Sequence, residues 1–231
     1  GLFLFGALPI VLAIWAHFRL KDSETWKKAV VERVEKPSIK ELFIKGRAST
    51  TIRLTIMAIA QVAGYFGLMN WLPSILQSSL GLSVSGSSVW MIATIVGMSL
   101  GMIVFGQIMD RVDAKVAYAV FLVASAIAVF AYSFADSAIL MLVGGAIVGF
   151  FANGMNAGYG AIVGNLYPVE IRATANNIIF NIGRAVGGFS SVAIGFFLDN
   201  FSLTAAMLFL SVLYLISLTC VLSLKTSRSD A

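Results

Sequence analysis

The chain has 231 residues, of which 59% are hydrophobic and only 12% are Asp, Glu, Lys or Arg. An average soluble domain has about 45–50% apolar and about 25% charged residues. So few charges could not cover a soluble protein of this size, so lipid must solvate most of the surface. The composition excludes an ordinary soluble enzyme, a disordered linker and a nucleic-acid-binding domain. The single cysteine, Cys220, lies in an apolar run, which excludes an internal disulfide and a Cys-based metal site.

Seven long apolar runs follow one another along the chain, and runs of about 20 such residues are typical of membrane helices. They cover residues 2–18, 54–77, 87–109, 116–135, 138–165, 173–198 and 202–224. None alternates with the period of two that is expected of strands in a membrane barrel. The sequence therefore predicts an all-α, polytopic membrane bundle.

The first run begins abruptly, with neither an initiator Met nor the basic leader of a signal peptide. We therefore expect residues 1–18 to be the end of a helix whose beginning lies in a preceding, N-terminal part of a longer protein. Residues 51–224 then form a bundle of six complete helices, and residues 225–231 form a tail.

The net charge of +5 is distributed unevenly between the joints that connect the runs. Residues 19–53 hold ten Lys or Arg, and the other basic joints hold Arg111 with Lys115, Arg172, and two residues of the tail. The alternate joints, at 77–88, 136 and 199–202, hold none. By the positive-inside rule, the basic joints and the C-terminus are cytoplasmic. We expect a multi-pass protein of the cell (inner) membrane.

Residues 19–50 form the only long polar stretch, which we interpret as a cytoplasmic loop. After Pro37, Ser38 and Glu41 have the spacing of a capping box, which predicts the start of a short interfacial helix. The loop either lies on the anionic inner leaflet or is a solvated connector. The second interpretation is favoured.

A G-x-x-x-D-R-x-x-x-K pattern stands where the third run meets its cytoplasmic joint; it is formed by Gly106, Asp110, Arg111 and Lys115. At the cytoplasmic joint between the fifth and sixth runs, residues 168–172 read Pro-Val-Glu-Ile-Arg. On these motifs the chain resembles the C-terminal half of a major facilitator superfamily transporter. The resemblance covers the end of helix six, the central loop and helices seven to twelve. The loops are similar to those of the sugar-porter and metabolite–proton symporter branches. The resemblance implies the major facilitator fold, alternating access and coupling to protons.

The loop motif has a physical interpretation as a cytoplasmic gate. Gly106 would let helices approach closely, and Asp110 could accept hydrogen bonds from the N-terminus of a neighbouring helix. Arg111 could pair with an acid, for which Glu170 is the candidate. With Lys115 and Arg172, such contacts would hold the cytoplasmic side shut. The alternative is that these residues are only positive-inside anchors, and the gate is favoured.

Arg184 is the only charged residue within any of the seven runs. It follows Arg172 by twelve residues, so it lies about 18 Å along a helix and near the bilayer midplane. An arginine there costs at least about 2.5–3.5 kcal/mol and is expected to face a cavity with a partner. That partner must be the absent N-terminal half, water or an anionic ligand.

Polar residues at helical spacing accompany Arg184 on three of the runs. They are Asn177 and Asn181 with Gly188 and Ser191, Asn153 and Asn156 with Gly149 and Gly160, and Gln61 with Tyr65. Amides also bond across packed helices, so each one alone has a structural interpretation. Arg184 with two amides on its stripe favours a substrate cavity.

An arginine near the middle of helix eleven also resembles that of aromatic-acid and other organic-anion symporters, and sugar porters usually lack it. We therefore predict a secondary transporter for a small organic anion: a carboxylate, an aromatic acid or an acidic sugar. The alternatives are a porter for neutral sugars, in which Arg184 is structural, and a non-transporting half-transporter. No Ser/His/Asp set, metal cluster or paired intramembrane carboxylate suggests an enzyme, and no cofactor, metal or nucleic acid is expected. The expected partners are the bilayer, the anion, protons and the absent half.

Overall fold

The computed structural model describes residues 9–10, 13–16, 18, 38–44 and 46–224, apart from the side chains of residues 84 and 85. Two units are distinguished, residues 1–37 and residues 38–231. In the first, residues 9–10, 13–16 and 18 are helical. Most of the predicted helix end at 1–18, most of the predicted loop at 19–50 and the tail at 225–231 lie outside the described residues.

Six helices long and apolar enough to cross a membrane make up the described part of the second unit. They are α1 (Ala48–Leu80), α2 (Val84–Met109), α3 (Ala114–Tyr132), α4 (Ala138–Leu166), α5 (Val169–Asn200) and α6 (Leu203–Ser223). No strand occurs among the residues that the structure describes. The predicted all-α membrane bundle is confirmed.

The helices begin where short polar side chains can satisfy the first free backbone N–H groups. Four of them are capped in this way, by Ser83, Asp113, Ser137 and Ser202. Helix α1 ends at Gly81, whose φ of 64° is in the left-handed region that glycine adopts without strain. The predicted runs miss the first turns of α1 because those turns are polar, with Arg53 among them.

Helix α1 packs against α5 and α6, while α3 packs against α6 and α2 against α4. The closest approaches occur at glycines. A Cβ built at Gly183 would lie 2.8 Å from the Cβ of Ala58, and one built at Gly101 would overlap the backbone carbonyl of Phe150. Glycines such as Gly101 and Gly183 therefore serve close helix packing.

Helix α4 is not a regular α-helix, contrary to the periodicity assumed for its polar stripe. It changes from α-helix (Ala138–Val148) to a π-helical turn (Gly149–Asn153), then to a 3₁₀ turn (Met155–Gly158), and back to α-helix at Tyr159. Each change rotates the residues that follow. Asn153 is buried while Gly160 is exposed, so the predicted single stripe from Gly149 to Gly160 is wrong.

Helix α5 is interrupted between Gly187 and Ser190, which ends the second predicted stripe. Beyond the break, the Ser191 hydroxyl accepts a hydrogen bond from Asn70 Nδ2 at 2.7 Å and donates to the Phe66 carbonyl oxygen at 3.3 Å. Ser191 therefore binds α1 and does not continue the row that begins at Asn177. The stripe ends before the break, with Arg184.

A matched pair of glycine substitutions tests the packing of α2 on α4. Gly101→Ala is expected to lower the free energy of unfolding by about 1–3 kcal/mol, because the backbone of Phe150 must move. Gly106→Ala is expected to be neutral or to stabilise by up to about 1 kcal/mol, since nothing lies within 4 Å of its Cβ position and alanine favours helix. Thermal unfolding in detergent measures both. Equal losses would show that the close approach at Gly101 carries no special cost.

Candidate functional site

A cavity of about 180 Å³ lies between α1, α4 and α5. It is lined by Val62, Tyr65, Phe66, Asn156, Phe180 and Arg184. Three residues that were predicted from sequence to bind substrate therefore meet here, one from each helix: Tyr65, Asn156 and Arg184. One guanidinium and one amide among aromatic and apolar side chains is the usual composition of a small-molecule site.

Arg184 reaches this cavity with its hydrogen-bonding capacity unused. Its side chain is exposed, and among the described residues it makes neither an ion pair nor a hydrogen bond. A guanidinium has five N–H donors in a planar fork that matches a carboxylate. An arginine that lies within a membrane span and has no counter-ion among the described residues is therefore available to an anion.

Aromatic rings form the rest of the wall and are themselves held in place. The rings of Tyr65 and Phe66 make an edge contact with centroids 5.3 Å apart. Phe180 makes a similar contact with Tyr159 at 5.4 Å, and Tyr159 is buried. These contacts fix flat apolar surfaces beside the guanidinium. The sequence reasoning did not identify Phe66, Phe180 and Val62, although Phe180 stands four residues before Arg184, on the same helix face.

The other predicted substrate-binding residues do not line this cavity. Asn177 and Asn181 are exposed on the same helix as Arg184. Gln61 is buried and donates from Nε2 to the Ser217 hydroxyl at 3.2 Å, so it connects α1 to α6. Asn153 is only 1% exposed, and neither its amide oxygen nor its amide nitrogen has a hydrogen-bond partner among the described residues.

The predicted gate residues lie at helix ends. Asp110 and Arg111 are exposed at the end of α2, and no ion pair joins Arg111 to Glu170 in the part of the chain that the structure describes. Lys115 is the second residue of α3, and its backbone N–H donates to Asp113 Oδ1 at 2.8 Å. Close helix approach does not explain Gly106, because nothing lies within 4 Å of its Cβ position.

A buried hydrogen-bonded node connects the joint between α4 and α5 to the start of α1. Thr51 Oγ1 donates a hydrogen bond to the carbonyl oxygen of Leu42 at 2.6 Å and lies 2.7 Å from the Tyr167 hydroxyl oxygen. Burial raises the pKa of Tyr167, against smaller lowering effects of the Thr51 hydrogen bond and the Arg47 charge. Arg172 Nε donates to the Tyr167 carbonyl at 3.4 Å. Sequence reasoning missed this node because Thr51 and Tyr167 are 116 residues apart along the chain.

Comparisons with known proteins agree with this architecture. The model of the Major Facilitator Superfamily matches residues 54–230. A protein of Haemophilus influenzae named as a metabolite transporter is 37% identical over 97% of this chain and 57% of its own length. The cis,cis-muconate transport protein of Acinetobacter baylyi is 27% identical over 93% of this chain and 54% of its own length.

A third relative, from Cupriavidus pinatubonensis and named for 4-methylmuconolactone transport, is 26% identical over 98% of this chain and 53% of its own length. The chain spans little more than half the length of these relatives. Its six apolar helices and the family match describe a multi-pass membrane protein. The predicted resemblance is confirmed, and the chain belongs to the Major Facilitator Superfamily.

Proposed function

We propose that this bundle supplies the binding arginine of a secondary transporter for small organic anions. The observation that carries the proposal is Arg184, which has no counter-ion among the described residues and lies in a cavity lined by Asn156 and aromatic rings. An ammonium or guanidinium in a membrane span marks a ligand pathway by default. The names of the relatives that carry muconate and 4-methylmuconolactone support an unsaturated carboxylate or lactone as the cargo class.

In this proposal, the residues that line the cavity form one side of a larger binding site. Asn177, Asn181 and Arg184 are exposed along one helix, and such side chains do not face lipid at low cost. We infer that a second helical bundle covers them and that the two bundles rock about the site to give alternating access. Because the work is binding and reorientation, no catalytic residue is assigned.

Substrate exchange in proteoliposomes made from the full-length transporter tests the proposal. We expect labelled cis,cis-muconate or benzoate to exchange against internal unlabelled anion, with no exchange of labelled hexose. Exchange of hexose alone would favour the neutral-sugar alternative, with Arg184 in a structural role. Protons are proposed as the coupling ion on the family resemblance, so an imposed inward proton gradient should drive anion accumulation.

We propose that the basic joints are cytoplasmic, and cysteine labelling at the two ends of α3 tests this. Val112 and Asp136 flank this helix and are both exposed, so cysteines placed there should react readily. In a Cys220→Ser background, Asp136→Cys should react with a membrane-impermeant maleimide from outside intact cells, whereas Val112→Cys should react only after permeabilisation. Labelling of Val112→Cys from outside would reverse the proposed topology.

A further inference from the structure

We propose that residues 38–44, here called the linker turn, form a membrane-surface anchor that binds the interface of an anionic bilayer. The linker turn consists of the capping residue Ser38, one 3₁₀ turn, Ile39–Leu42, and the two residues that follow that turn. Three apolar side chains point away from the bundle: Ile39, Phe43 and Ile44 are 57%, 50% and 46% exposed. An exposed apolar set of this kind on a short ordered segment needs a partner.

The linker turn is ordered by its own capping and by the bundle. The Ser38 side chain accepts from the backbone N–H of Lys40, and Glu41 Oε1 accepts from the backbone N–H of Ser38 at 3.2 Å. Leu42 is fully buried, and its carbonyl accepts the hydrogen bond from Thr51. One apolar residue therefore faces the protein, and its neighbours are held facing outward.

The position of the linker turn brings it to the bilayer surface. Helix α1 begins at Ala48, only a few residues after Ile44, and Thr51 in its first turn holds Leu42. If α1 spans the membrane, the linker turn lies at the level where this span leaves the hydrocarbon. Apolar and aromatic side chains at that level insert about 5–10 Å into the boundary between headgroups and acyl chains.

The charge of this region selects an anionic lipid as the partner. Residues 19–53 carry ten Lys or Arg against five Asp or Glu. Lys40 is exposed within the linker turn; Glu41 keeps its charge, and one of its carboxylate oxygens accepts from the Ser38 backbone N–H. Basic residues next to a membrane span are attracted to anionic headgroups within about one Debye length. A second protein surface would not require this excess of positive charge.

Spin-label depth measurements on the whole protein in vesicles test the anchor. Nitroxides are attached to Ile39→Cys or Phe43→Cys in a Cys220→Ser background, in phosphatidylcholine vesicles with and without phosphatidylglycerol. Val123→Cys, in the middle of α3, supplies the bilayer reference, and Asp136→Cys supplies the aqueous reference. Both reference positions are exposed.

We expect the labels at 39 and 43 to lie between the two references, more accessible to oxygen than to a water-soluble nickel chelate. They should lie deeper when phosphatidylglycerol is present, and Lys40→Gln should reduce that difference. Nickel accessibility equal to that at Asp136 would overturn the proposal in favour of a solvated turn. Protection from both reagents would overturn it in favour of docking on protein, and a depth independent of lipid charge would overturn the anionic preference.

A second variant separates the anchor from simple unfolding. Thr51→Val keeps the shape of the side chain but removes the hydrogen bond to Leu42. We expect the label at Phe43 to become more mobile and shallower while the label at Val123 is unchanged. An unchanged Phe43 label in a folded Thr51→Val protein would contradict the role of this contact in presenting the apolar face.

Discussion

Arg184→Ala is expected to abolish anion binding while leaving the bundle folded. The guanidinium has no partner among the described residues, so its removal leaves none of those residues unpaired. Truncating one partner of a desolvated charge pair costs about 2–5 kcal/mol, which is at least about 30-fold in Kd. Arg184→Lys should keep a weakened remnant, because the ammonium retains the charge but loses the planar fork. Binding of labelled muconate to purified full-length transporter measures both.

Asn156→Ala and Asn181→Ala provide graded comparisons for this result. Asn156 lines the cavity, so its loss should cost about one hydrogen bond, or about 0.5–1.5 kcal/mol of binding. Asn181 is exposed and does not line the cavity, so Asn181→Ala should weaken binding by no more than Asn156→Ala does. If Arg184 is structural, Arg184→Ala should instead lower the folded yield. A well-folded Arg184→Ala protein that binds its anion at the wild-type Kd would refute the substrate-site assignment.

Asp110→Asn is expected to reduce transport about tenfold or more while anion binding survives. Asp110 stands at the C-terminal end of α2, where the helix dipole disfavours a negative charge. It has no side-chain partner in the described part of the chain, so a gating contact of Asp110 would have to be made with a group outside that part. A charge-assisted hydrogen bond gained in only one transport state contributes about 1.5–3 kcal/mol to the balance between states.

Asp136→Asn is the matched control for this charge removal. Asp136 is also an exposed acid at a helix joint, but it lies at the opposite end of α3 from Lys115. We expect it to leave exchange unchanged. Loss of both binding and transport in Asp110→Asn, in protein that still folds, would contradict a role in gating. An unchanged exchange rate would favour the alternative that Asp110 and Arg111 are part of an ordinary positive-inside anchor.

The six spanning helices could be predicted because apolar length is a property of the sequence itself. The helix caps also depend only on nearby residues, because one hydroxyl beside the helix start accepts the capping hydrogen bond. These caps are Ser83, Ser137 and Ser202. The predicted capping box of Ser38 and Glu41 is confirmed, and it was predictable because it too depends only on nearby residues. It begins one 3₁₀ turn rather than a longer helix.

The interior of the bundle was less predictable because it depends on irregular backbone. A stripe drawn at 3.6 residues per turn assumes a continuous α-helix, and the π-helical turn at Gly149–Asn153 breaks that assumption. Gln61 and Asn153 also show that an amide in an apolar run can face the protein interior instead of a cavity. Which of these two environments an amide occupies depends on how α4 and α6 pack, and the sequence of the run does not show this. Arg184 was predictable because its charge allows few environments.

Thr51 has a single hydroxyl hydrogen, and this limits what the node with Tyr167 and Leu42 can do. A carbonyl only accepts, so the hydrogen of Thr51 is directed to the carbonyl oxygens of Leu42 and, more distantly, Arg47, and Tyr167 must donate to Thr51. A tyrosinate could no longer donate and would compete with the carbonyl for that one hydrogen. Because burial raises the pKa of Tyr167, this competition begins only above its ordinary value of about 10. The hydrogen bond by which Tyr167 supports the attachment of residues 38–44 to the bundle is thus retained across the physiological pH range.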